Sequence, residues 1–134
     1  MIAFSTVNWF AVLVGTVLSM VLGFFWYGPL FGNTWLSLIG KSAEDIESDP
    51  IMFLKTAVAA LVAMVLLNVV VSSFGATSFF EGVVAGALTF VGFGATQTFV
   101  YTTFEGPSEK VWLLFGSYQI LVFGIMGGVF AIWG

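Results

Sequence analysis

Charged residues are absent from four long stretches of this chain, at residues 1–40, 56–80, 82–104 and 111–134. About 20 consecutive apolar residues suffice for a helix to cross a hydrocarbon core of about 30 Å, and each stretch reaches that length. The pattern therefore predicts an all-α integral membrane four-helix bundle, built as one transmembrane domain over residues 1–134. The predicted spans cover residues 7–27, 50–74, 79–103 and 110–133.

Turn and cap residues set the ends of these predicted spans. Gly28-Pro29 predicts the end of the first span, because proline does not continue a helix and restricts the residue before it. Asp49-Pro50 predicts the start of the second span, because Asp caps free backbone N–H groups and Pro suits the first helical position. Residues 30–39 between them are apolar and suit a short interfacial helix, and whether it lies flat or re-enters the bilayer stays open.

Composition removes most other classes of protein. Of the 134 residues, 60% are hydrophobic and 7% are charged, so no soluble domain fits beside four spans. The chain has no cysteine and no histidine, which excludes disulfides, Cys/His metal sites and histidine-ligated haem. A net charge of −4 argues against a nucleic-acid partner. The residues show no catalytic group, no metal site and no evident cofactor.

The three lysines indicate an orientation. Lys41, Lys55 and Lys110 all lie in or beside the first and third connections, which a four-span topology places on one side. By the positive-inside rule this side is cytoplasmic, so both termini are expected outside.

Small residues recur at every fourth position in three of the spans. Such stripes let a second helix backbone approach closely. They indicate tight packing within one bundle, and packing between protomers or against a partner is the alternative that stays open. The stripe residues are Ala11, Gly15, Ser19 and Gly23 in span one, Gly82 and Gly86 in span three, and Gly124 and Gly128 in span four.

Polar residues inside the spans form the second feature. Gln97 and Tyr101 are one turn apart, so their polar ends share one helical face. Three interpretations stay open: a hydrogen-bonded structural cluster, a polar cavity or ion path, and a site for a pigment or a lipid headgroup. The 16 phenylalanines fit lipid contact and helix packing, and hydrophobic pigments or quinones stack on such rings as well. The predicted polar cluster comprises Asn68, Thr96, Gln97, Tyr101, Tyr118 and Gln119.

Several short motifs resemble one family. They are Val7-Asn8-Trp9, the run from Trp26 to Gly32 with Trp35, Phe104-Glu105-Gly106, and Gly116-Ser117-Tyr118. Together they resemble the family called domain of unknown function 1761. The resemblance implies a small four-helix membrane protein of a kind widespread in bacteria, here placed in the bacterial cytoplasmic membrane, with no established activity. The family positions it marks are Asn8, Trp9, Trp26, Tyr27, Pro29, Trp35, Glu105, Gly106 and Tyr118.

Two functional hypotheses follow from these features. The first is a non-enzymatic membrane protein that acts through helix packing, as a homo-oligomer or as an accessory subunit of a larger membrane complex. The second is a small-solute or ion channel or transporter, with a polar path near Gln97 and Tyr101. An enzyme ranks third, because no nucleophile has a base beside it in the pattern. Expected partners are membrane lipid and other membrane subunits, and a bound lipid or hydrophobic pigment fits either hypothesis.

Overall fold

The computed structural model describes residues 7–46, 49–106 and 108–133, and these residues contain helices and no strand. Four helices are long and apolar enough to cross a membrane: Trp9–Leu30, Pro50–Ser73, Phe79–Phe104 and Glu109–Trp133. They are called the first to fourth long helices below. A short helix, α2 (Gly32–Ile39), follows the first of them.

The first long helix consists of α1 (Trp9–Phe25) and a π-helical segment, Trp26–Leu30. It therefore runs past Gly28-Pro29, where the sequence predicts a stop. In this segment the Phe31 N–H donates to the Trp26 carbonyl at 2.9 Å, a five-residue step. Pro29 has no N–H to donate and would therefore interrupt a regular α-helix at this point. The wider π turn accommodates it.

The connection after the first long helix folds into α2 and a 3₁₀ turn at Ala43–Asp45. Gly40 ends α2 with a φ of 70°, a left-handed conformation that glycine adopts without a steric penalty. The Asp45 carboxylate accepts hydrogen bonds from the backbone N–H and the hydroxyl of Ser42. These bonds favour the ionised form and place the pKa of Asp45 below its usual value.

The second long helix, α3 (Pro50–Ser73), starts where the Asp49 side chain accepts from the Ile51 N–H at 2.9 Å. The third long helix consists of α4 (Phe79–Thr89), a π-helical segment Phe90–Ala95, and α5 (Thr96–Phe104). The fourth is α6 (Glu109–Trp133). The four long helices thus run in alternating directions along the chain.

The bundle packs around α6. This helix contacts α1, α3, α4 and α5, and its contact with α4 is the most extensive. Hydrogen bonds join both ends of the first long helix to α6. Asn8 Nδ2 donates to the Trp133 carbonyl at one end, and Trp26 Nε1 donates to the Leu114 carbonyl at the other. The largest fully buried side chains are Val12, Met64, Leu67, Asn68, Val71, Val122, Met126 and Phe130.

Candidate functional site: a lateral cleft

A cleft of about 920 Å³ opens on the side of the bundle. One wall is the part of α3 up to Met64, with Ala59, Ala60 and Ala63, and another is the second half of the third long helix, with Gly94 and Thr98. The floor comes from α1 and α6. Because most of its α3 residues lie in the half that includes Lys55, the cleft lies toward the lysine-bearing end of the bundle.

Aromatic rings form about a third of the lining. The alanines on α3 leave room between the helices, and rings from every long helix border that space. These rings belong to Phe24, Tyr27, Phe53, Phe90, Phe115, Tyr118 and Phe123. The lining is therefore mostly apolar, and its rings offer flat surfaces to the space between the helices.

Both π-helical segments contribute residues to this cleft, Tyr27 from the first and Phe90 and Gly94 from the second. Within α-helices, π turns occur frequently at functional sites. Sequence reasoning missed both segments, since residues 90–95 read as an ordinary part of one apolar span. Pro29 and the glycines at 92 and 94 are the only local signals of irregular backbone.

Most polar atoms that line the cleft have hydrogen-bond partners within the chain. The Tyr118 hydroxyl donates to the Ser19 carbonyl and lies 3.1 Å from Ser19 Oγ. Thr98 Oγ1 donates to the Gly94 carbonyl at 2.9 Å and accepts from Trp112 Nε1 at 3.1 Å. Gln119 differs, because its amide forms no hydrogen bond with any other residue in the described ranges. Its donors and its acceptor remain available to a bound molecule.

The Tyr118 hydroxyl is expected to stabilise the packing of α1 on α6. We expect Tyr118→Phe to lower the free energy of unfolding by about 1 kcal/mol, the usual net value of one hydrogen bond. Thermal unfolding in detergent measures the change. The matched control is Tyr101→Phe, because Tyr101 is 57% exposed and its hydroxyl forms no hydrogen bond with a described residue. Equal losses in both variants would contradict the structural role of the Tyr118 bond.

The small-residue stripe of span one lies inside the bundle. Ala11, Gly15 and Ser19 are buried. A Cβ added at Gly15 would meet the sulfur of Met64 at 2.8 Å, and one added at Gly23 would meet the Tyr118 hydroxyl at 2.9 Å. The structure thus places this stripe against α3 and α6.

The stripes of spans three and four face each other. A Cβ at Gly82 would overlap the Gly127 carbonyl, and a Cβ at Gly86 would overlap the Phe123 carbonyl. Gly124 lies by Val83, and Gly128 lies by the Phe79 ring. Gly127 is a close-packing residue that sequence reasoning missed, because the four-residue spacing selects Gly124 and Gly128 and passes over it.

The predicted polar cluster does not come together within one chain. Asn68 lies at the end opposite the cleft, where its Oδ1 accepts from the Asn8 N–H at 3.4 Å and its buried Nδ2 has no partner among the described residues. Gln97 and Tyr101 are exposed, and Thr96 bonds its own helix at Gly92. Only Tyr118 and Gln119 border the cleft. Sequence alone showed that Gln97 and Tyr101 share a face but not which way that face points.

Most of the family-motif residues lie at helix ends, whereas Tyr118 lies in the interior of α6. Asn8 caps α1 by accepting from the Ala11 N–H, and Trp9 beside it is 62% exposed. Trp35 on α2 contacts the ring of Tyr27 with centroids 5.2 Å apart. At the third connection, Glu105 is exposed, and a Cβ at Gly106 would lie 2.7 Å from Thr102 Cα. Asn8, Trp9, Trp35, Glu105 and Gly106 lie at or beside the turns and do not line the cleft. Tyr27 lines it.

The cleft holds few groups that carry a charge. Residues 7–46, 49–106 and 108–133 contain no group of three His, Cys, Asp or Glu side chains that could hold a metal ion. The cleft has two charged residues, Asp49 and Lys55, and the Asp49 carboxylate already caps α3. What the cleft offers is an apolar, aromatic space with one free amide.

Comparison with known proteins gives one match. A family model described as "Protein of unknown function (DUF1761)" matches residues 10–131. No curated protein and no solved structure matches the chain.

Proposed function

The chain belongs to the DUF1761 family of proteins of unknown function, and we propose that it is a non-enzymatic integral membrane protein that binds one apolar molecule from the bilayer in the lateral cleft. The observation that carries this proposal is the free Gln119 amide on the floor of an aromatic cleft. The ligand class that fits best is a membrane-dissolved molecule with a flat, carbonyl-bearing ring, such as an isoprenoid quinone.

The proposal first requires that the four long helices cross a membrane. In the most apolar 18-residue window of each, between 22% and 39% of residues are buried inside the bundle, so most of the apolar surface needs lipid as its solvent. Lys55 and Lys110 lie at the same end, near the starts of α3 and α6. We assign this end to the cytoplasmic side of a bacterial cytoplasmic membrane, with both termini outside.

The depth of Gln119 in the membrane favours one class of ligand. Gln119 lies ten residues after Glu109 on α6, which is about 15 Å along a helix and near the middle of a hydrocarbon core about 30 Å thick. An amide without a partner at that depth costs about 1–3 kcal/mol or more. Phospholipid headgroups stay at the membrane surface and do not reach it. A ring carbonyl on a wholly apolar molecule reaches it and accepts its N–H.

Size agrees with a small molecule. A volume of about 920 Å³ lies within the range of about 300–1,000 Å³ that is usual for ligand sites. A helix about 10 Å wide that crosses about 30 Å occupies on the order of 2,000 Å³. The cleft therefore suits a ring with part of its isoprenoid tail better than a helix of a partner subunit.

The amide is tested by Gln119→Leu. We expect this variant to bind a menaquinone with a short isoprenoid tail about fivefold to tenfold more weakly, because one hydrogen bond is worth about 1 kcal/mol. The readout is quenching of tryptophan fluorescence in phosphatidylcholine vesicles. Trp112 is a suitable reporter, since its Nε1 bonds Thr98 on the cleft wall.

Ser117→Leu serves as the matched control, because Ser117 is exposed, lies on the same helix and does not line the cleft. We expect it to bind the menaquinone as the parent protein does. Displacement of the menaquinone by an equal amount of phosphatidylglycerol would contradict the proposed ligand class.

Helix packing with other subunits and solute conduction are the alternatives to this proposal. The small-residue stripes no longer support an interface with a partner, because they are used within the bundle. A polar path through one chain has no support either, since Asn68 and Gln97 lie near opposite ends. Assembly through another surface is a separate question.

A further inference from the structure

The outer face of the third long helix carries an exposed amide among exposed apolar side chains. Phe93, Gln97, Val100 and Phe104 follow a spacing of four, three and four residues. Phe93, Val100 and Phe104 are 77%, 52% and 82% exposed, and Gln97 is exposed between them. Gln97, Val100 and Phe104 lie on α5, where this a/d spacing is the one by which a second helix packs along a seam. Phe93 extends the same exposed surface from the preceding π-helical segment. The four residues are called the Gln97 seam below.

Gln97 has no partner for its amide among the described residues. The hydroxyls of its neighbours Thr96 and Thr103 donate to carbonyls of their own helix, at Gly92 and Phe99. A glutamine has no equivalent bond here. Gln97 lies seven residues before Phe104, about 10 Å from the end of the helix, and thus within the hydrocarbon if the helix spans the membrane. Lipid tails leave its donors and acceptor unsatisfied there.

We propose that the Gln97 seam is the interface of a homodimer, in which the Gln97 amides of two copies bond each other across a two-fold axis along the membrane normal. A carboxamide carries both donor and acceptor, so two identical amides satisfy each other. Copies inserted in the same orientation hold Gln97 at the same depth, and a two-fold axis brings the two side chains together. A single polar residue in an apolar seam also fixes the register of the two helices.

The proposal does not depend on the cleft. The cleft-lining residues of this helix are Phe90, Gly94 and Thr98, whereas Gln97 does not line the cleft. A dimer through the seam therefore leaves the cleft on each copy open to lipid. The two proposals can fail separately.

Cysteine cross-linking tests the seam directly, because the natural chain has no cysteine. We expect Val100→Cys to form a disulfide-linked dimer in native membranes under mild oxidation, whereas Val17→Cys, 61% exposed on α1, should not. Adding Gln97→Leu to Val100→Cys should lower the dimer association constant in detergent about threefold to thirtyfold, the range expected for interhelical amide bonds in membranes. Helix content and unfolding temperature confirm that each variant folds.

The cross-linking results distinguish a homodimer from the alternatives. Cross-linking at residue 100 that Gln97→Leu weakens supports the homodimer. A monomeric parent protein, equal cross-linking at residues 17 and 100, or cross-linking that Gln97→Leu leaves unchanged would overturn it. A parent complex whose mass requires a different membrane subunit on this face would overturn it as well.

Discussion

Gly127→Ala is expected to destabilise the folded protein by about 3 kcal/mol, at the upper end of the usual cost of overpacking. The backbones of α4 and α6 are in direct contact at this point. A Cβ at residue 127 would overlap the Gly82 carbonyl and lie 3.1 Å from Gly86 Cα. Backbone atoms do not move aside as the end of a flexible side chain does, so the two helices must separate. Unfolding in detergent, followed by helix content, measures the loss.

Gly116→Ala is the matched control on the same helix. A Cβ at residue 116 meets nothing within 4 Å. Alanine is also favoured over glycine in a helix interior by about 1 kcal/mol. This variant is therefore expected to be as stable as the parent protein or slightly more stable. Equal stability of the two variants would contradict the close packing of α4 on α6.

Filling the cleft is expected to remove ligand binding. In the double variant Ala60→Phe/Ala63→Phe, two rings project from the α3 wall into the space that the ligand occupies. The ligand loses several apolar contacts with the cleft, and the added rings divide the volume that remains. We therefore expect the affinity for the menaquinone to fall about a hundredfold, or about 2.7 kcal/mol. The tryptophan-quenching titration in phosphatidylcholine vesicles provides the measurement.

The control places the same two rings on another face of the same helix. Val58 and Val62 are each 51% exposed and do not line the cleft, so Val58→Phe/Val62→Phe should bind as the parent protein does. If both double variants bound the menaquinone equally well, the ligand would lie outside the cleft. If both lost binding, the effect would come from α3 as a whole and the assignment of the cleft would fail.

The four long helices are predictable from sequence because a charge-free stretch of span length has few other uses. Close helix contacts are predictable in part, since glycine at four-residue spacing marks where backbones approach. Gly82 and Gly86 are examples, and they pack against Phe123 and Gly127. Gly127 shows the limit, because its contact partner is on another helix and no local spacing identifies it.

The inward face of each helix is much harder to predict. In a soluble protein, the apolar stripe of a helix marks the face that packs in the core. A helix in lipid is apolar on all faces, so no stripe marks the inward one. The direction of Gln97 therefore depends on how α5 packs on α6, where Trp112 bonds Ala95 and Thr98. The π-helical segments escaped prediction for a similar reason. Near Phe90, whose ring centroid lies 5.4 Å from that of Phe123, the glycines at 92 and 94 are the only local signals of irregular backbone.

The most direct test of the account is native mass spectrometry of the protein extracted from its own membranes in a mild detergent. The account predicts one apolar, ring-bearing molecule per chain, retained in Val58→Phe/Val62→Phe and absent from Ala60→Phe/Ala63→Phe. A folded parent protein that carries no such molecule, or that retains only phospholipid equally in both double variants, would contradict the proposed function.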